Sequence, residues 1–286
     1  MGSQSGSKAF FKGIKRNGKP ALELSLLKDL DAMDDLPLAR KVYRLHTAFV
    51  RKMNDVHIFI QQSFPLLEKA QSNYETSTHK KDRRYYVPSV GHKRFARRKD
   101  KELKEIYDRF LSRELFENLI VTSVSHFEAF LFAVLRLVLL AYPKKLTLNI
   151  QGMEIKKEIP LEILLDTDGR EEALRKVIER HLISLSYATP KAYLECLNKI
   201  GGVDTSDPVF EDYLEIKSAR DVIIHNSGII NDVYLSKADN KKRGKIGEQL
   251  KIDDQYFNRC IATLKRLSGI IRRDIDRNFQ EKSSSS

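Results

Sequence analysis

The sequence predicts an all-α fold with one small inserted β-hairpin, and two observations carry that prediction. Apolar residues recur at spacings of three and four over most of the chain, and Pro, Gly, Asp and Thr punctuate the runs where helices start or stop. Strict alternation is confined to Lys145–Ile159, where it surrounds Gln151-Gly152 and predicts the hairpin.

The elements follow in order. Leu22, Leu24, Leu26, Leu27 and Leu30 cluster in a helical pattern from Ala21 to about Met33, which Asp34–Pro37 breaks. A long helix is expected from Leu38 to about Thr76, with Val42, Leu45, Phe49, Met53, Val56 and Ile60 on one face. Pro65 lies inside that run and predicts a kink or restart. Pro88 and Gly91 stop any continuous helix, so residues 79–101 read as a basic loop or linker and as the best boundary. From Asp100 to about Tyr142 the pattern is helical again and almost wholly apolar after Phe127, as expected for the buried centre of a domain; Pro143 ends it. Asp168 and Glu171 form a capping box before Glu172–Leu185. Thr189-Pro190 opens another helix, and Asp207-Pro208 opens Val209–Asn226, which Gly228 terminates. A last amphipathic helix runs from about Asp253 to Phe279. The organisation expected is an N-terminal helical extension over 1–99 and a helical domain over 100–282.

Composition narrows the function. Phe127 to Tyr142 is interrupted by Glu128 and Arg136, and is too short for a membrane span of about 20 residues, so a soluble, cytoplasmic protein without a membrane partner is expected. Cys196 and Cys260 are far apart and have no ligand-type spacing, which predicts neither a zinc site nor a disulfide framework. The net charge of +12 is unevenly spread: residues 79–101 hold ten Lys or Arg against two acids, while the chain beyond them is balanced. A basic stripe on a neutral body points to an anionic partner, nucleic acid first and acidic lipid second. Within it, Tyr85, Tyr86 and Phe95 lie among Arg83, Arg84, Lys93, Arg94, Arg97 and Arg98. Rings can stack on unpaired bases while cations hold phosphates, so these residues are the candidate RNA contacts.

The chemistry concentrates in Glu215–Gly228. Arg220 and His225 frame four residues at the end of a helix, giving R-x4-H. The pair offers a permanent cation and a titratable imidazole to one phosphate. A neutral imidazole can take the proton of a ribose 2′-hydroxyl, and a guanidinium can hold the scissile phosphate and stabilise its developing charge. Neither a metal nor a cofactor is needed, and the sequence holds no HExxH and no P-loop. Asn226 is placed to orient His225 or touch phosphate. Glu128 lies on an apolar helix face and needs a partner there, with Arg220 and His225 as functional candidates and an ordinary core bond as the other. Lys241-Lys242-Arg243 and Arg272-Arg273 read as solvated surface with auxiliary RNA contacts.

The string ARDVIIHNSGIINDVYL, Ala219 to Leu235, resembles the signature helix of the HEPN superfamily, in which R-x4-6-H has a polar residue after the Arg, as Asp221 is here. Arg113–Glu117 leading into Ser125–Leu131 is similar to the long HEPN helix that bears a buried acid. The likeness spans roughly residues 100–280. It implies an antiparallel helical bundle that dimerises, places two motifs in one cleft and cuts RNA, in toxin–antitoxin, antiviral or RNA-processing settings. Arg220, His225, Asn226, Glu128 and Asp221 become the candidate catalytic set. The partners implied are RNA, a second copy, and a cognate antitoxin or regulatory protein. Asp221 departs from the Asn of many active members, and an acid there weakens the local pull on phosphate. Other members are inactive, so a non-catalytic RNA-binding or regulatory module is the alternative. An interaction protein docking through helix 38–76 is a further one.

Overall fold

The structure, a computed structural model, describes residues 36–92, 94–153, 160, 163 and 169–279. The helix expected at 21–33, the Asp168 cap and Lys93 lie outside the described residues. The chain is mostly helical and carries a two-stranded antiparallel sheet. Helix α1 (Leu38–Glu75) is followed by β1 (Arg83–Val87), β2 (Arg94–Arg98) and α2 (Asp100–Arg109). A π-helical turn at Phe110–Glu114 passes α2 into α3 (Leu115–Ala141). Then come α4 (Arg170–Ser186), α5 (Pro190–Lys199), α6 (Val209–Asn226), α7 (Asp232–Ala238) and α8 (Asp254–Asn278).

Local chemistry explains most of these bounds. The Thr189 hydroxyl accepts from the Ala192 amide at 3.4 Å, with Pro190 at the first helical position. Asn231 caps α7 and Asp253 caps α8, each accepting from a Tyr amide at 2.9 Å. Helix α6 ends on Ser227, left-handed at φ 52°, and Gly228, at φ 77°, whose amide reaches back to the Val222 carbonyl. Helix α1 runs unbroken through Pro65, against the expected restart. Pro65 and Gln61 are both exposed, so the carbonyl deprived of its amide partner faces water.

Helix α1 packs against α8, α3 and α2, and its apolar face is part of the same core as the helices beyond residue 100. Phe49 of α1 meets Phe127 and Phe130 of α3 at 5.6 and 5.3 Å between ring centroids. Phe127 in turn meets Tyr213 of α6 edge-on at 5.1 Å. The stretch Asp100–Ala141 is long and apolar enough to cross a membrane, yet 56% of its most apolar window is buried inside this fold. Its apolar character is used in the core.

The sheet is not where alternation placed it. Pro143–Thr147 forms a 3-10 turn, Leu148–Met153 contains no strand, and residues 154–159 lie outside the described residues. The hairpin is instead built by the basic segment expected to be a linker. Arg83 pairs with Arg98 and Val87 with Arg94, around a turn that includes Gly91 at φ 82°. A two-stranded ribbon is marginal by itself, and this one is held by a buried acid. Arg83 places Nε and Nη2 on the two oxygens of Asp100 at 2.6 and 3.0 Å, and the Ser77 hydroxyl donates to the same carboxylate. Arg83 chiefly, then Ser77, holds the Asp100 carboxyl down at about 2. A depressed carboxyl favours the folded form above its unfolded value near 4, and that contribution goes as pH falls through about 2. Asp100→Asn is therefore expected to free the ribbon at neutral pH. Amide hydrogen exchange should speed up across Arg83–Arg98 while α3 and α8 keep their protection; unchanged strand amides would remove Asp100 as the anchor.

Candidate active site

Helix α6 is buried on every side from Tyr213 to Ala219; beyond that stretch it opens to solvent in its last two turns, as it does at Glu211 and Asp212 near its start. Arg220 and Asp221 sit at that opening with side chains 23% exposed, and His225 is exposed on the final turn. The five-residue step separates Arg220 and His225 by about 7.5 Å of rise and about 140° of rotation. The structure thus brings Arg220, Asp221 and His225 to one end of one helix.

Arg220 is only partly engaged. Its Nη1 donates to Asp221 at 3.0 Å, while its Nε is buried and has no hydrogen-bond partner. Asp221 also meets Lys237 of α7 at 3.5 Å. Tyr213, Lys217 and Arg220 recur at four and three residues and so share a face. The Lys217 ammonium lies 4.6 Å from the Tyr193 ring centroid and pairs with Glu128. Glu128 therefore bonds to Lys217 rather than to Arg220 or His225, the partners considered from sequence. Burial first, then the Glu128 charge, pushes the Tyr193 and Tyr213 hydroxyls well above the ordinary phenol range, so both stay protonated donors. The Tyr213 hydroxyl is fully buried and unpartnered, like Arg220 Nε. Sequence reasoning missed Tyr193, Tyr213 and Lys217; the shared helix face was the available signal for two of them.

The segment beyond His225 is fixed by backbone bonds. Leu250 donates to Gly228 at 2.8 Å, Ile230 to Glu248 at 2.9 Å and Gly247 to Ile230 at 2.9 Å. Asn226 donates its side-chain amide to the Ile229 carbonyl at 2.6 Å, so it braces this turn and does not orient His225. Gln249 donates to the Ser227 carbonyl at 3.2 Å and lies 3.5 Å from Glu117, a buried acid of α3 whose carboxyl is raised by burial. Gly228 is required by its φ of 77°, and a Cβ there would also press on the movable end of the Gln249 side chain. His225 itself has no hydrogen-bond partner among the described residues.

Beneath the turn lies a second buried acid. Glu215, 5% exposed at its side chain, accepts from the Tyr234 hydroxyl and Arg243 Nε at 2.9 Å each and from the Tyr256 hydroxyl at 2.8 Å. The Arg243 guanidinium also lies 3.7 Å over the Tyr256 ring and donates to the Lys251 carbonyl at 2.7 Å. Arg243 is thus a core cross-link, not the solvated RNA contact expected from its basic neighbours. Arg273, by contrast, is exposed as expected, with its side chain at 61%, although it donates to the fully buried Asp274.

Of the candidate RNA contacts, Arg84, Tyr86, Arg94, Phe95, Arg97 and Arg98 are exposed on the ribbon, as is Tyr85 to a lesser degree. Arg83 is the exception, because its guanidinium is committed to Asp100. Compared with known proteins, the chain matches no family model, no curated protein and no solved structure.

Proposed function

We propose that this chain is a metal-independent endoribonuclease of the HEPN type, with Arg220 and His225 as its catalytic pair. The observation that supports this best is the state of Arg220: a partly buried guanidinium whose Nε is unpaired, about 1.4 turns from an exposed imidazole that has no hydrogen-bond partner among the described residues. His225 removes the proton of a ribose 2′-hydroxyl, the 2′-oxygen attacks the adjacent phosphorus, and the bond to the 5′-oxygen breaks. The products are a 2′,3′-cyclic phosphate and a 5′-hydroxyl, the latter protonated by an imidazolium. Arg220 carries the charge on the phosphoryl oxygens during that exchange. Around this end Ile224, Ile229 and Val233 are 45%, 42% and 57% exposed. An exposed apolar rim of this kind suits a second copy. A cytoplasmic setting, a homodimer and a role in toxin or antiviral defence, under an antitoxin or other regulator, complete the proposal. Incubation of cellular RNA in excess EDTA with wild type and with His225→Ala tests it: only wild type should cut.

One contact favours the alternative of a non-catalytic RNA-binding module, namely the carboxylate that already occupies Arg220. The two readings differ over Asp221→Asn. In a nuclease this change releases Arg220 toward phosphate, and KM for RNA should fall about two- to fivefold, the worth of a partly exposed ion pair. Steady-state cleavage measures it, and a rise in KM would show that Asp221 positions Arg220 instead of competing for it.

A further inference from the structure

The hairpin has two unlike faces. Residues directly opposite in an antiparallel pair share a face, so the register sorts the basic segment into two sets. Arg83, Arg98, Tyr85, Ala96, Val87 and Arg94 form one set, and Arg84, Arg97, Tyr86 and Phe95 form the other. The first set is the mounting face. Arg83 is bound to Asp100 and lies 5.9 Å over the Tyr74 ring, Tyr85 lies near Tyr74, and Ala96 is partly covered. The second set points away from the body, and all four of its residues are exposed, Tyr86 at 67% and Phe95 at 49%.

On that outward face two features ask for the same ligand. Arg84 and Arg97 stand directly opposite each other, and neither has an acidic partner among the described residues. Like charges in that relation destabilise a ribbon, so an anion bridging them would relieve it. Next along the ribbon, by about 7 Å, Tyr86 and Phe95 pair with ring centroids 4.3 Å apart and leave their outer surfaces open to solvent. A phosphate-binding pair of arginines beside open aromatic rings fits a polymer that offers phosphates and free base faces together. Duplex nucleic acid hides its base faces in the stack, and a single strand does not.

We propose that the outward face of the hairpin, Arg84, Tyr86, Phe95 and Arg97, is a binding platform for single-stranded RNA. The inward face only mounts it. The proposal rests on the ribonuclease reading for the sugar of the strand, and on the ribbon's own geometry for the rest. It also divides the basic segment, since Arg83 and Tyr85 leave the set of RNA contacts.

The test uses full-length His225→Ala protein, so that binding is read without cleavage. Fluorescence anisotropy is followed with labelled oligouridine of about 12 nucleotides and with an RNA duplex of the same length. Oligouridine should bind more tightly than the duplex, and adding Tyr86→Ala with Phe95→Ala should weaken oligouridine about tenfold or more while leaving the duplex unchanged. Tyr86→Leu with Phe95→Leu keeps an apolar cross-strand contact but removes the rings, and should lose as much. Arg84→Gln with Arg97→Gln should make the log–log salt dependence shallower by about 1.4, as for two single-strand phosphates. Equal or tighter duplex binding would overturn the proposal, as would full affinity in the leucine variant. So would hairpin variants that release phosphatidylserine vesicles yet bind oligouridine like the parent. Hairpin-dependent binding by a wild type that never cleaves would remove the nuclease reading and leave this platform standing.

Discussion

His225→Ala is expected to lower RNA cleavage by at least about a hundredfold, the lower end of what a positioned general base contributes. The reasoning is geometric. The imidazole is exposed, no side chain among the described residues holds it, and it stands on a helix end whose following turn is tied down by Gly228, Ile230 and Leu250. Removing it therefore costs the fold almost nothing, as for other surface substitutions away from caps and cores. Thermal unfolding of the variant should match wild type, and so should oligouridine binding by the hairpin. A variant that lost activity together with its melting transition would show structural damage instead of a missing base.

Glu215→Ala is expected to have the largest effect on stability, about 3–5 kcal/mol, the usual result of removing one partner of a buried ion pair. Three donors converge on this carboxylate, and the two tyrosines have no water to turn to: Tyr234 is 1% and Tyr256 4% exposed, while Arg243, 25% exposed at its side chain, lies against the Tyr256 ring. The loss exceeds what one hydrogen bond contributes because the Arg243 charge is left partly buried without its counter-ion. Glu215→Gln keeps an acceptor for one tyrosine and should fall between wild type and alanine. Urea unfolding followed by circular dichroism measures the series. A cost below about 1 kcal/mol for the alanine variant would mean that solvent reaches the network and that Glu215 does not organise it. Because Arg243 belongs to the segment that clamps the turn after His225, the same variant should also reduce cleavage more than binding.

Much of the helical frame was legible in the sequence because its signals are local. Thr189-Pro190, Asp253 and Gly228 act within one turn of where they stand, and the structure ends or starts helices at each of them, whereas the short helix that Asn231 caps was not foreseen. The hairpin was not legible for the opposite reason. Alternation appears where a strand buries one face, and both faces of Arg83–Val87 and Arg94–Arg98 are largely exposed, so no apolar period exists to be read. At Lys145–Ile159 alternation misled, since Pro143 starts a 3-10 turn whose Leu146 leans on the core without any strand pairing.

The site shows the same division. Arg220 and His225 are close in sequence, and their shared helix end could be read directly. The partners of Glu215 come from 19, 28 and 41 residues away, and Lys217 reaches Glu128 across 89. No local pattern announces such pairings; burial of the acids announces only that partners are needed. Glu128 illustrates the limit. Its need for a partner was evident from the apolar face around it, while the choice of Lys217 over Arg220 depended on how α3 and α6 cross.

The most direct test of the account is the chemistry of the cut ends. Cellular RNA incubated with wild type in excess EDTA should yield 5′ fragments that end in a 2′,3′-cyclic phosphate and 3′ fragments that begin with a 5′-hydroxyl, and His225→Ala should yield neither. RNA left intact by wild type, cleavage that stops on chelation, or ends that persist in His225→Ala would contradict a nuclease built on Arg220 and His225.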